Sequence, residues 1–199
     1  MSNGADVARK GWMRRLAPPI GRARLNVPLH QKAARLKVFS RNCACLRGKG
    51  YKMDAKNIDK SKLPSRHVTE GPSRAPHRSY YYAMGLTSGQ IRQPFVGVAT
   101  CWNEAAPCNI ALSHQAQFVK RGVAAAHGTP REFTTITVTD GIAMGHQGMK
   151  SSLVSRDVIT DSVELTMRGH SYDALVGLAG CDKSLPGMMM AMVRLNVPS

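Results

Sequence analysis

The sequence has no apolar stretch long enough to cross a membrane. Its N-terminus lacks the apolar segment of a secretory signal, so neither a spanning helix nor a secretory leader is expected. No Cys-x-x-Cys pair occurs, which argues against a zinc ribbon. The glycine-rich stretch 139–148 has no Gly-x-Gly-x-x-Gly, so it is not a dinucleotide fingerprint. The five cysteines stand at 43, 45, 101, 108 and 181. An odd count at wide spacing makes no disulfide framework; thiols in a reducing compartment are expected. Acids are scarce at the start. Residues 1–52 hold 13 Lys and Arg against Asp6 alone, a net +12, whereas 53–199 carry only +4. The basic character belongs to the first quarter. Without interleaved aromatics or a known module, it is weak support for a nucleic-acid partner.

What is present falls into three parts: a basic disordered extension over 1–52, a polar arm over 53–78 and an α/β region over 79–199. Three readings stand for the extension: a tail with no role, an Arg-rich transit peptide, or translation from a start ahead of the true one at Met53. The last is preferred, because everything interpretable follows Met53. The compartment is then the bacterial cytoplasm; a transit peptide would make it mitochondrial or plastid. Cys43 and Cys45 have no partner ligands in the extension and stay unassigned. In the arm, Pro64, Gly71, Pro72 and Pro76 favour loop or arm structure. Tyr80-Tyr81-Tyr82 is read as the start of a short helix packed on the domain.

From Pro94 a strand–loop–helix pattern occurs three times. Phe95 to Ala99 is a buried strand. Its loop runs from Thr100 to Asn109, and Leu112, Ala116, Val119 and Val123 share one face of the helix that follows. Phe133 to Val138 is the second strand, with a loop over 139–148. Ser155 is placed as the cap of the next helix, whose inner face holds Val158, Ile159, Val163 and Met167. The third strand is 174–179, followed by a turn at Cys181 and a helix near 186–194. Strands that are continuously apolar and alternate with helices predict a mostly parallel sheet with flanking helices.

In such sheets ligands bind beyond the C-terminal strand ends. The chemically distinctive residues fall there: Cys101 and Cys108, then Asp140, then Cys181, Asp182 and Lys183. Cys108 and Cys181 are soft donors, suited to iron–sulfur or zinc; buried inert thiols are the alternative. Asp140 and Asp182 are hard donors, suited to Mg²⁺ or Mn²⁺. Cys101 is either a third thiolate or a core residue. His146 is a substrate contact or a solvated loop histidine, Glu104 a loop carboxylate, and Met188 to Met190 core filler.

Three segments, Pro107-Cys108-Asn109, Thr139-Asp140-Gly141-Ile142-Ala143-Met144-Gly145-His146 and Cys181-Asp182-Lys183-Ser184-Leu185-Pro186-Gly187, together resemble the dihydroxy-acid and phosphogluconate dehydratase family. The resemblance runs from about Leu63 to Ser199. It implies that Cys108 and Cys181 are two of three thiolate ligands of a [2Fe–2S] cluster. It implies Mg²⁺ on Asp140, Asp182 and a carbamylated Lys183, although a simple Lys183–Asp182 ion pair remains open. The implied reaction dehydrates 2,3-dihydroxy acids to 2-oxo acids in valine and isoleucine synthesis, by a homodimer. A sugar-acid dehydratase and an inactive truncated product are the alternatives. The third cysteine, a further carboxylate and the serine base are expected beyond Ser199, so no catalytic base is assigned within this chain. The 199 residues alone are expected to be inactive, as the N-terminal part of a larger domain.

Overall fold

The computed structural model describes residues 58–199. The extension 1–52, with Cys43 and Cys45, lies outside the described residues. From 58 the arm is built of short turns. A 3₁₀ turn at Lys60–Lys62 leads into α1 (Arg66–Thr69), and a second at Pro72–Arg74 leads into α2 (Ala75–Ala83). Pro72 and Pro76 each sit at the start of their segment, where a missing N–H costs nothing. The tyrosines close α2 rather than opening it. Tyr81 turns inward, edge-on to Phe95 at 5.2 Å, while Tyr80 and Tyr82 stay exposed. Helix α3 (Ser88–Arg92) begins with a capping box between Thr87 and Gln90.

The sheet has three parallel strands in the order β2-β1-β3: β1 (Phe95–Thr100), β2 (Thr129–Thr134) and β3 (Ala174–Leu178). The α/β class and the parallel pairing are as the sequence predicts. The chain steps one way from β1 to β2 and the other way from β2 to β3. Right-handed crossovers then put the connecting helices on opposite faces. Helix α4 (Leu112–Ala125) covers one face, where Lys120 pairs with Glu132 of β2 at 2.8 Å. Helix α6 (Met149–Gly169) covers the other, with Met167 packed on Gly97. Helix α7 (Ser184–Leu195) lies against α6, and its Met188 and Met192 fill the space left by Gly177. Ile159, Val163, Leu175, Met188 and Ala191 form the centre of the core.

Three further details differ from the sequence reading. The second strand lies at Thr129–Thr134, not Phe133 to Val138. Register explains the shift: Thr134 is opposite Thr100, the last residue of β1. Beyond it only one ladder bond continues, Thr135 N–H to Thr100 O at 2.8 Å. The β-branched run 135–138 is therefore a connection, and Pro130 is tolerated because β2 is an edge strand. Ser155 caps nothing. The helix begins at Met149, and the buried Ser155 hydroxyl donates to Ser152 O at 2.7 Å. Val158 is exposed rather than inward, whereas Ile159, Val163 and Met167 are buried as expected.

Candidate functional site

In a doubly wound sheet the crevice opens where neighbouring strands send their helices to opposite faces. Here β1 leads to α4 on one face, and the adjacent β3 leads to α7 on the other. The loops 101–111 and 179–183 flank that point, and the connection 135–139 runs alongside. Cys101, Cys108, Cys181, Asp182 and Lys183 are in these segments and Asp140 is the first residue of α5 (Asp140–Ala143), whereas His146 lies beyond that helix.

The hard donors converge. Lys183 Nζ donates to Asp140 Oδ2 at 2.8 Å and to Asp182 Oδ2 at 2.7 Å, so one ammonium bridges carboxylates from two loops. Ser152 Oγ, from α6, donates to Asp140 as well. The Lys183 ammonium, then the Ser152 hydroxyl, hold the Asp140 carboxyl down to about 2. The Asp140 carboxylate, then that of Asp182, pushes the Lys183 amine up. The pair thus exists as carboxylates and ammonium across the physiological range.

Cys181 adjoins this cluster, with Sγ donating to Asp182 Oδ1 at 3.8 Å, and the thiols differ from one another. Cys181 is buried, with Sγ 3.5 Å from Thr139 Oγ1, and its turn is held by Ser184, whose hydroxyl donates to Cys181 O and accepts from Cys181 N–H, both at 3.0 Å. Cys108 is exposed. Its carbonyl packs directly on Gly180, where a Cβ would collide with it. Only glycine allows the loops after β1 and β3 to meet so closely. Cys101 is fully buried, and burial pushes its thiol up to about 11. It belongs to the core, which decides between the two readings it had. Among the described residues, no group of three or more His, Cys, Asp or Glu forms a ready metal cage.

His146 is exposed but not idle. Its Nδ1 accepts from Gly148 N–H at 3.0 Å, so Nε2 carries the proton and donates to Ile142 O at 3.0 Å. The ring pins its own loop. Glu104 is exposed, and Met188 is core while Met189 is 63% exposed. The sequence reading passed over Asn109, Thr137, Thr139 and Ser152 as site residues. A signal for two of them was present: in 135, 137 and 139 every second residue is a threonine, and all three are buried.

The family model described as dihydroxy-acid/6-phosphogluconate dehydratase N-terminal matches residues 93–199. The chain is 87% identical over 147 residues to the dihydroxy-acid dehydratase of Parvibaculum lavamentivorans, covering 74% of this chain and 26% of that protein. It is 84% identical over 148 residues to dihydroxy-acid dehydratase 2 of Mesorhizobium japonicum, covering 74% and 25%. The dihydroxy-acid dehydratase of Sulfurisphaera tokodaii is 55% identical over 143 residues, covering 72% and 25%. The chain therefore spans about a quarter of the length of the curated relatives it matches. With the doubly wound sheet and the clustered strand-end residues, the match leads to one conclusion: this chain belongs to the dihydroxy-acid/6-phosphogluconate dehydratase family.

Proposed function

We propose that this chain contributes part of the active site of a hydro-lyase that converts 2,3-dihydroxy acids to 2-oxo acids. The substrates are 2,3-dihydroxyisovalerate and 2,3-dihydroxy-3-methylvalerate, in valine and isoleucine synthesis. The observation that carries this is the meeting of Asp140, Asp182 and Lys183 beside Cys181 at the switch point. The names of the relatives support the choice of substrate over a sugar acid. The complete enzyme is proposed to be a cytoplasmic homodimer.

The donor chemistry fits two centres. Cys108 and Cys181 would hold a [2Fe–2S] cluster with a further thiolate from outside this chain. Asp140, Asp182 and carbamylated Lys183 would hold Mg²⁺. This reading is supported by the Lys183 side chain, which draws the Asp140 and Asp182 carboxylates together at 2.8 and 2.7 Å. When bound, the two groups supply Lewis acidity to the substrate's carboxylate and hydroxyls.

The chain's own part is preparation. Asp140 is ionised at all working pH values, because Lys183 and Ser152 stabilise its charge. The Asp140 and Asp182 carboxylates keep Lys183 protonated, so carbamylation would first have to release that proton. The freed nitrogen lone pair then adds to the carbon of CO₂, a proton leaves to solvent, and a carbamate oxygen becomes anionic. Ser184 holds the Cys181 turn, and Thr139 sets its hydroxyl against Sγ.

The test uses the complete enzyme carrying this segment, assayed for 2-oxo acid from 2,3-dihydroxyisovalerate and from 6-phosphogluconate. Asp140→Asn and Lys183→Arg should each lose about 100-fold in kcat or more, a loss of about 2.7 kcal/mol in transition-state stabilisation. Full activity in Lys183→Arg, or a preference for 6-phosphogluconate, would sink the reading.

A further inference from the structure

Asn109 is fully buried beside the exposed Cys108, and its side chain bonds the segments after β1 and β2. Its Nδ2 donates to Cys101 O, after β1, at 2.6 Å and to Thr137 Oγ1, after β2, at 2.9 Å. Thr137 Oγ1 itself donates to Cys101 O at 2.9 Å, which closes a three-membered ring of bonds. A carbonyl oxygen only accepts, so the amide nitrogen must face Cys101 and the orientation of the side chain is fixed. Oδ1 is thereby turned to Gly180, after β3, 2.9 Å from where a Cβ there would sit. That oxygen is buried with no hydrogen-bond partner.

We propose that Asn109 is a positioning residue: its buried amide ties the segments after β1 and β2 together and, through the Cys108 carbonyl packed on Gly180, sets how Cys108 faces Cys181. The role rests on the reading that these two thiols serve one centre. The path is short. Asn109 fixes its own backbone, through its N–H to Ala106 O at 2.8 Å as well as the amide ring. The carbonyl immediately before it belongs to Cys108 and lies on Gly180, next to Cys181. Moving the amide moves the peptide that carries the first thiol against the peptide that carries the second.

The test is a Cd²⁺ titration of the full chain, read by thiolate-to-metal absorbance, with thermal unfolding of each variant in parallel. Wild type should show a site that Cys108→Ser and Cys181→Ser each abolish. Asn109→Asp keeps size but places an oxygen against Cys101 O, and should weaken Cd²⁺ binding by roughly 10- to 100-fold in the folded protein. Thr137→Val, which removes one partner of the same amide, should weaken it less. Cd²⁺ affinity within about twofold of wild type in folded Asn109→Asp, even with a lowered Tm, marks a packing residue and overturns the proposal. Should Asn109→Asp not fold, Thr137→Val decides, and unchanged affinity there overturns it equally. A wild-type band that survives either cysteine substitution removes the shared centre, and the Asn109 role falls with it. That outcome is distinguishable, because it appears before any Asn109 variant is measured.

Discussion

The two ends of the sheet use the same residue types for opposite ends. At the N-terminal end, Asp173 accepts from Ser65 N–H at 2.8 Å, Ser65 Oγ at 2.6 Å and Phe95 N–H at 2.7 Å. Lys60 donates to Ile91 O and Gln93 O, both at 2.6 Å, with its ammonium 4.3 Å from the Phe95 ring. Burial pushes this amine down to about 8. At the C-terminal end, Lys183 meets only carboxylates, and its amine is pushed up. One lysine is held by neutral carbonyls in a desolvated place and ties the arm to the sheet. The other is held by charges near solvent. Burial with neutral partners makes a staple; partial exposure with charged partners makes a site.

Removing the Asp173 anchor should have the largest effect on stability. Asp173→Ala strands two backbone N–H groups and one hydroxyl, and should cost about 3–5 kcal/mol in urea unfolding. An effect below about 1 kcal/mol would mean that the end without site residues is not the anchored one.

The next effect is a pH dependence. The folded Lys60 amine has a value of about 8 against an ordinary 10.5. Between these values the unfolded chain holds a proton that the folded chain lacks. Stability should therefore rise from pH 8 to pH 10.5, by about 1–2 kcal/mol. Tyr81 and Tyr172, pushed up by burial, oppose the trend at the alkaline end. The measurement is thus the difference between wild type and Lys60→Met, which should lack the Lys60 contribution. Parallel curves for the two would remove the contrast between the lysines.

The smallest effect belongs to the site. Lys183→Met should leave the Tm near neutral pH almost unchanged, because its pairs are solvent-accessible. The acid limb should change instead. Asp140 at about 2 contributes stability that is present above its ordinary 3.8 and lost as pH falls through 2. Without Lys183 its folded value returns toward the ordinary one, and the loss of stability between pH 4 and 2 should shrink. Acid titration followed by circular dichroism reads this directly. An unaltered acid limb would show that Ser152, not Lys183, holds the Asp140 charge.

The placement of the strand-end residues was legible because a buried parallel strand is an uninterrupted apolar run, as in Phe95 to Ala99 and Ala174 to Ala179. Chemistry-bearing residues directly after such runs must emerge at one edge. The second strand was misplaced because its own signal is weak: Thr129-Pro130-Arg131-Glu132 is polar at an edge, while the β-branched 135–138 looks more like a strand. Only register against β1 separates them. Ser155 looked like a cap because serine favours that position, but a tertiary-packed helix continues through it. Asn109 was hidden because a loop asparagine is usually a turn residue.

The sequence by itself determined the α/β class, the three strand–helix units and the set of soft and hard donors, since these depend on local composition and period. The family also follows from it, through 107 consecutive matched residues that end at Ser199. Tertiary structure alone decided that Cys101 is core, that Lys183 bridges Asp140 and Asp182, and that the Asn109 amide bonds both Cys101 and Thr137. Those facts depend on which loops become neighbours. That is set by the 2-1-3 strand order and by a glycine at 180 small enough to let two backbones touch. Neither can be seen from residues read one after another, because the contacts join positions tens of residues apart.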